Sequence, residues 1–311
     1  MIPAINRAAD APLRWGVEAL WAQLSPVLPG LGVEVLARSV STNTELLERA
    51  RLMPLARNSG FGDLEPSGRI GRRQADIQPC LLVAEHQTGG RGRMGRTWRS
   101  TPGASLTFSI ALPLAPADWS GLSLAVGVAL AEALQPDASG AAPQLLLKWP
   151  NDLWFVDADP GAARGGAVVG RKLGGVLIET LAAASRRLAV VGVGLNVLPV
   201  PEPAELPGGT ACLQEIEPGA SAPATLARIA LPLLQALKTF EREGFAAFAS
   251  RYAARDLLRD QPVTTTQPGA ETGVARGVTL QGALRVETAH GVHLIASGEV
   301  SVRPASAEPG E

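Results

Sequence analysis

Apolar and polar positions follow two periodicities that predict a mixed α+β domain. Apolar runs, continuous or alternating and bounded by turn residues, predict strands. They lie at 33–40, 80–87, 105–114, 144–156, 174–182 and 187–197, and a Pro-Asn-Asp turn divides the fourth into two short strands. Apolar residues at helical spacing predict helices at 12–24, 41–53, 119–136, 211–217 and 223–256. Because residues 119–136 are apolar almost throughout, we expect that helix to pack on a sheet.

The pattern changes near residue 261. From there the chain holds short alternating strands separated by glycine turns, which is typical of a small barrel. We therefore predict a main domain at 1–260 and a small C-terminal domain at 261–311, joined near "LRDQP". Residues 54–78 are rich in Gly, Arg and Pro without clear periodicity, so they predict an irregular insertion.

Composition narrows the class of protein. With 311 residues and 46% hydrophobic content, the chain can bury a full core. A net charge of -1 argues against a protein that binds polyanions over a broad basic surface. Cys80 and Cys212 lack CxxC spacing, which disfavours a zinc site and favours two buried, reduced thiols. No apolar run is long enough to span a bilayer, so we expect a soluble cytoplasmic protein.

Any function that depends on basic residues must then be confined to one region, and one stretch of the chain is rich in arginine. The arginine loop, "GGRGRMGRTWRS" at 89–100, places four arginines among glycines between two predicted strands. Single-stranded nucleic-acid binding, a solvated turn and a phosphate-gripping loop all fit this composition. Glycine permits tight folding around a ligand, and arginine supplies planar charged forks for phosphate oxygens. The loop alone does not choose among the three.

Three further stretches carry polar groups at the ends of predicted elements. "SVSTN" at 39–43 puts hydroxyls and an amide at a helix start, where helix capping explains them better than a ligand does when the stretch is taken alone. "KWPND" at 148–152 begins with Lys148 after three leucines, a position where a charge is costly unless it is paired or functional. "VGVGLN" at 191–196 ends a strand with glycines, which often mark the close approach of a backbone or ligand.

Together these stretches resemble the bacterial biotin–protein ligases. The ordered series is "STN" (41–43), "AEHQTGGRGRMGRTW" (84–98), "KWPNDL" (148–153), "RKLGGVLIE" (171–179) and "VGVGLNV" (191–197), with "GEVSVRP" (298–304) near the end. The resemblance implies the biotin–lipoate ligase fold, a mixed sheet packed with helices and related to class II synthetases, followed by an SH3-like barrel. It implies two steps: biotin and ATP form biotinyl-5′-AMP with Mg²⁺, and a lysine of a biotin carboxyl carrier protein then accepts the biotin.

The resemblance also implies site residues, carried over position by position. Near biotin it places Ser41, Thr42, Asn43, Gln87, Arg91, Gly92, Arg93 and Lys148. Near ATP and the adenylate it places Arg91, Arg93, Trp98, Lys148 and Asn196. Lys148 and Arg93 would be catalytic, because fixed cations stabilise charge that builds on the α-phosphate. The magnesium ligands stay open, with Asp152 a candidate.

Departures from the family and competing functions shape the remaining expectations. Fewer than fifty residues precede "STN", without a basic recognition helix, so we expect the form that lacks the N-terminal DNA-binding domain and does not bind DNA. Residues 54–78 and 157–170 look like insertions. A lipoate or octanoate protein ligase or transferase is the alternative enzyme, and a nucleic-acid-binding regulator is the alternative outside enzymes. A homodimer through an exposed strand edge and a monomer are both open.

Overall fold

The computed structural model describes most of the chain. The described residues are 13–52, 78–136, 142–156, 170–183, 186–200, 209–296 and 303–304. Both predicted insertions therefore lie outside the described residues, except for positions 78 and 170.

A seven-stranded sheet forms the centre of the main domain. Its strands are β1 (Gly32–Ser39), β2 (Cys80–Gln87), β3 (Ser105–Leu114), β4 (Leu145–Lys148), β5 (Asp152–Phe155), β6 (Arg171–Ala183) and β7 (Arg186–Asn196). They are ordered β1-β2-β3-β7-β6-β5-β4. β1 and β2 are parallel and every other neighbouring pair is antiparallel, so the predicted mixed sheet is confirmed.

Helices cover the two faces of this sheet unequally. The helices are α1 (Val17–Leu24), α2 (Thr42–Leu52), α3 (Leu122–Leu134), α4 (Ala222–Glu243) and α5 (Ala249–Ala253). α3 and α4 pack against each other and share the main core with buried residues of β3 such as Phe108. α2 packs on the opposite face, where Leu46 and Leu47 join a second cluster. Since α2 covers only part of that face, polar side chains can gather on the remainder.

The last helical segments differ from the prediction. A single helix was expected over 223–256, but α4 ends at Glu243 because Gly244 takes a positive φ of 65°. A 3₁₀ turn and α5 follow it. The helix expected at 211–217 is one 3₁₀ turn, Leu213–Glu215. Pro218 and Gly219 come directly after that region, and both residues disfavour continuation of a helix.

A second, five-stranded antiparallel sheet forms the C-terminal part. Its strands are β8 (Pro262–Thr264), β9 (Thr272–Val278), β10 (Leu284–Thr288), β11 (Gly291–Ile295) and β12 (Arg303–Pro304), ordered β11-β10-β9-β8-β12. The antiparallel arrangement agrees with the predicted barrel. The boundary between residues 260 and 261 stays a prediction.

The turn before β10 connects the small sheet to the main domain. The buried Trp149 donates from Nε1 to the Gly282 carbonyl at 3.0 Å. A Cβ at Gly282 would lie 2.7 Å from Gly121 Cα, so the two backbones are in close contact. Because Trp149 belongs to the turn between β4 and β5, this contact fixes that turn against the small sheet.

Two smaller expectations concern thiols and membranes. Cys212 is buried as expected, whereas Cys80 is only half-buried, and neither forms a disulfide. Within the described ranges, none of the helices combines the length and apolarity that a bilayer crossing requires.

Candidate active site

One row of paired positions crosses the α2 face of the large sheet. From β4 to β3 the paired residues are Lys148, Asp152, Gly175, Gly194 and Thr107. Directly paired side chains lie on one face of a sheet, so these five positions share a surface. Gly192 lies on the same face two residues from Gly194. The three glycines at 175, 192 and 194, called the glycine recess below, let polar and aromatic side chains lie directly against the backbone, because a Cβ at each would come within 3.0 Å of Asp152, Asn43 or Trp98.

The arginine loop folds back on itself as a tight turn over this face. The Trp98 amide donates to the Gly90 carbonyl at 2.9 Å, and the Gly92 amide donates to the Arg96 carbonyl at 2.7 Å. A Cβ at position 90 would lie 2.5 Å from the Trp98 carbonyl oxygen, so only glycine fits there. Met94, at the tip, has a positive φ of 54° and is exposed. The loop thus has its own hydrogen bonds and an exposed tip.

Trp98 lies directly on the glycine recess. A Cβ at Gly194 would be 2.5 Å from Trp98 Cε2. The indole Nε1 is buried and has no hydrogen-bond partner within the described chain. Asn196 lies on the same face of β7, buried, with its Nδ2 donating to the Ala211 carbonyl at 3.2 Å. The two residues that the resemblance assigned to adenine therefore lie at the same end of the recess.

A neutral, buried hydrogen-bond network lies at the start of α2. The Thr42 amide donates to Gln87 Oε1 at 2.7 Å, and the Thr42 hydroxyl lies 2.6 Å from Ser109 Oγ. Ser109 donates to Asn43 Oδ1 at 2.6 Å. Ser41 is also buried, and its Oγ lies 3.5 Å from the Thr44 amide, the position of a helix cap. Four of the predicted biotin residues are thereby gathered, together with Ser109, which the sequence did not single out.

A carboxylate joins this network to the arginine loop. Arg91 Nη2 lies 3.0 and 2.9 Å from the two oxygens of Glu179 on β6. Asn43 Nδ2 donates to Glu179 Oε2 at 3.0 Å and to the Leu177 carbonyl at 3.2 Å. Glu179 was not predicted as a site residue, because from the sequence alone it appears as a polar position on a strand.

Cationic side chains gather at the other end of the recess. Arg93 is half-buried, and its Nη1 lies 3.5 Å from Asn151 Oδ1 in the turn between β4 and β5. Burial lowers the pKa of Arg93, an effect that the nearby Asp152 carboxylate opposes. Lys148 Nζ lies 4.1 Å from the centre of the Trp154 ring, a cation–π distance. Arg93 and Lys148 are therefore both placed at this turn.

A second lysine, absent from the predicted set, lies beside them. Lys172 Nζ donates to Asp152 Oδ1 at 2.8 Å. A Cβ at Gly175 would lie 3.6 Å from that ammonium, so Lys172 faces the floor of the recess. A β-bulge between Leu153 and Trp154 sets this pairing. The stretch "RKLGG" was noted in the sequence, but its lysine was not assigned a role.

Comparison with known proteins agrees with this geometry. Residues 73–196 match the biotin/lipoate A/B protein ligase family, and residues 260–303 match the biotin protein ligase C terminal domain. The chain is 33% identical over 276 residues to the biotin–[acetyl-CoA-carboxylase] ligase of Mycobacterium tuberculosis, covering 86% of this chain and 88% of that protein. It is 34% identical over 324 residues to the bifunctional ligase/repressor BirA of Escherichia coli, covering 97% and 89% respectively.

A solved structure extends the likeness to three dimensions. The biotin protein ligase of Aquifex aeolicus, determined in complex with biotin and ATP, superposes with a TM-score of 0.63 at 27% identity. The match covers 88% of this chain and 99% of that one. The structural match and the sequence matches agree with the neutral network, the cationic cluster and the glycine recess of the site. The chain therefore belongs to the biotin/lipoate A/B protein ligase family, as a biotin protein ligase.

Proposed function

We propose that this ligase works in two steps on the α2 face of the sheet, with biotin and ATP as its substrates. The carboxylate of biotin attacks the α-phosphorus of ATP, the bond to the β-phosphate oxygen breaks, and biotinyl-5′-AMP and pyrophosphate form. A carrier lysine then attacks the activated carbonyl, and AMP leaves. The observation that carries this proposal is that neutral and cationic groups occupy opposite ends of one glycine recess.

The neutral end suits the head group of biotin. That head group carries no charge, so it needs hydrogen-bond partners that are buried but uncharged. Thr42, Asn43 and Gln87 are neutral and each is at most 9% exposed. The head group would therefore lie against the start of α2, with the arginine loop above it.

The cationic end suits the reacting centre. Two anions must meet there, and negative charge develops around the α-phosphorus as the carboxylate attacks. Arg93, Lys148 and Lys172 would neutralise that charge and hold both reactants in line. Arginine offers a fork for two phosphate oxygens, whereas each lysine acts as a compact point charge.

The adenine would lie where Trp98 covers Gly194. The indole offers a flat stacking surface, and its buried Nε1 lacks an acceptor in the described structure, which a ligand oxygen or nitrogen could supply. Asn196, on the same face, supplies an amide for hydrogen bonding.

A magnesium ion fits this site through the substrate rather than through a protein cage. In the described part of the chain, no cluster of three or more His, Cys, Asp or Glu residues could hold a metal. Magnesium commonly binds through one or two carboxylates together with substrate phosphates. Asp152, facing the recess, is the carboxylate that would contribute, and the ion would offset charge on the departing pyrophosphate.

The second step needs an acceptor protein. We infer a biotin carboxyl carrier domain of a carboxylase, since the M. tuberculosis relative is named for acetyl-CoA carboxylase.

β5 pairs with β6 only over Arg171–Gly175, so from Val176 onward this side of β6 faces no described strand. Such an edge could support a homodimer, and a monomer is the equal alternative; sedimentation equilibrium distinguishes the two, and cytoplasmic location stays a prediction.

Exchange of labelled pyrophosphate into ATP tests the first step without a carrier. Replacing Lys172 or Lys148 by Ala should slow biotin-dependent exchange by roughly 10²- to 10³-fold, the loss typical when a donor to transition-state charge is removed. Lys238→Ala serves as the matched control, because Lys238 pairs with Glu241 on α4. Exchange at the wild-type rate in both site variants would contradict the cationic assignment.

Substrate choice separates biotin from lipoate. Calorimetry with biotin and with lipoate, each with and without ATP, tests this. It should show that biotin binds, and that the heat released is larger when biotin and ATP are both present. If the protein binds lipoate and does not bind biotin, the lipoate alternative replaces the biotin proposal.

A further inference from the structure

Glu179 connects two parts of the site that are far apart in sequence. It lies 88 residues from Arg91 and 136 from Asn43, and it contacts both. Its side chain is 27% exposed, whereas that of Arg91 is 44% exposed. A carboxylate that is mostly covered and paired to a glycine-rich loop is well placed to control where the loop lies.

The chemistry of the acceptors fixes the direction of the whole network. A carboxylate oxygen and the Leu177 carbonyl only accept hydrogen bonds, so the Asn43 atom that faces them must be its NH₂ group. Asn43 Oδ1 therefore faces Ser109 and accepts its hydroxyl proton. Because a serine has a single hydroxyl proton, the 2.6 Å bond between Thr42 and Ser109 must be donated by Thr42, which leaves no proton for the longer 3.3 Å contact between the Thr42 hydroxyl and Gln87 Oε1.

Gln87, beside this network, is oriented by the backbone of Thr42. The Thr42 amide donates to Gln87 Oε1, so the other end of the Gln87 amide, Nε2, is a donor. Nε2 points toward the arginine loop, since a Cβ at Gly90 would lie 3.1 Å from it. The protons of Asn43, Ser109 and Thr42 are used within the network, so the donor that it leaves for a ligand is Gln87 Nε2, beside hydroxyl and amide groups whose directions are fixed.

We propose that Glu179 is a positioning residue of the ligase: it anchors Arg91 of the arginine loop and orders the hydrogen bonds from Asn43 through Ser109 to the Thr42 hydroxyl, so that the biotin head group meets a preorganised site. This inference rests on the proposed function. It adds two residues, Glu179 and Ser109, neither of which has to touch the reacting atoms. Preorganised groups bind more tightly because less conformational freedom is lost on binding.

Glu179→Gln is the sharpest perturbation. Glutamine has nearly the same size, but only one of its two terminal atoms accepts a hydrogen bond. With its oxygen at the Oε2 position, glutamine still accepts from both Arg91 and Asn43, but its NH₂ group then faces the Arg91 Nη2 donor, so one of the two bonds to Arg91 and the negative charge are lost. Ser109→Ala interrupts the same chain without altering charge. Glu132→Gln is the matched control, because Glu132 is 30% exposed and pairs with Arg251 in the helical layer.

Steady-state pyrophosphate exchange with biotin and ATP varied separately tests the inference. Glu179→Gln and Ser109→Ala should each raise KM for biotin about ten-fold, the loss expected for a buried hydrogen bond to a charged or preorganised partner. The kcat and the KM for ATP should stay near wild type, as should all constants of Glu132→Gln. The double variant should be little worse than the worse single variant, since both act through one chain.

The outcomes separate this inference from the proposed function. A wild-type protein without biotin-dependent exchange would refute the proposed function itself. An active wild type with an unchanged biotin KM in Glu179→Gln, confirmed as folded by thermal unfolding, would overturn the role of Glu179 alone. Equal losses in kcat and in both KM values would also overturn it, because they indicate general damage to the structure.

Discussion

Adding one methyl group to the floor of the recess is a direct test of the nucleotide subsite. In Gly194→Ala the new Cβ would lie 2.5, 2.8 and 2.9 Å from Cε2, Cζ2 and Nε1 of Trp98. Ordinary contact between carbon atoms is about 3.5–4.0 Å. The indole must therefore retreat by roughly 1 Å, while the strand itself is fixed by its neighbours on both sides.

The expected consequence is a selective loss toward ATP. A misplacement of about 1 Å in a positioning group can cost about 10²-fold in rate. We expect kcat/KM for ATP to fall by about 10- to 100-fold, with a much smaller change in KM for biotin. Gly192→Ala is predicted to do the reverse, because a Cβ there would overlap Asn43 Oδ1 in the neutral network.

Pyrophosphate exchange measures both constants, and tryptophan fluorescence reports the displaced indole. A Trp98→Phe protein identifies the contribution of this ring to the signal. Gly32→Ala is the control for adding a methyl group to a strand, since its nearest contact would be an ordinary 3.9 Å to the Pro79 carbonyl. A Gly194→Ala protein that keeps the wild-type kcat/KM for ATP would refute the placement of adenine on Trp98.

Three further predictions address the loop, pH and the domain contact. Arg93→Gly should loosen the loop and release the activated intermediate, seen as biotin on an unrelated protein such as albumin; labelling confined to the carrier contradicts it. Burial raises the pKa of Asp256 to about 6. The folded state therefore holds that proton more tightly than the unfolded chain does, and stability falls as pH rises from about 4 through 6. Urea unfolding should show about 1.4 kcal/mol more stability at pH 5 than at pH 8 from this group. Asp256→Asn should remove that difference, and a full pH dependence in the variant contradicts it. Trp149→Phe removes the donor to Gly282 and should cost about 1–3 kcal/mol in urea unfolding, whereas unchanged stability would show that the bond is dispensable.

The strands of the core were predictable because their signal is local. Residues 80–87 and 105–114 are apolar runs ended by polar or glycine-containing turns, and β2 and β3 occupy those same residues. The helix predicted over 223–256 is longer than the observed one. Apolar periodicity continues past Gly244, although the backbone there turns with a positive φ. Periodicity reports which face is buried, but the dihedral angle of a single glycine decides where the helix ends.

The site was predictable in part, for a related physical reason. Thr42, Gln87 and Arg93 belong to contiguous stretches whose resemblance to a family could be seen. Ser109 lies outside those stretches, and Glu179 ends "RKLGGVLIE" without an implied role, because what both residues do depends on which strands pair and in which register. β3 lies beside β7, and β7 beside β6, which brings both residues to the start of α2. That arrangement depends on contacts between segments distant in the chain.

The contact at Gly282 has a consequence for protein engineering. This residue has a φ of 82° and touches Gly121, while its carbonyl accepts from Trp149. A chimera that takes only its C-terminal sheet from a homologue would place a foreign turn against Gly121 and Trp149. A functional graft must carry all three positions as a unit, and fusion partners should be attached away from the β9–β10 turn.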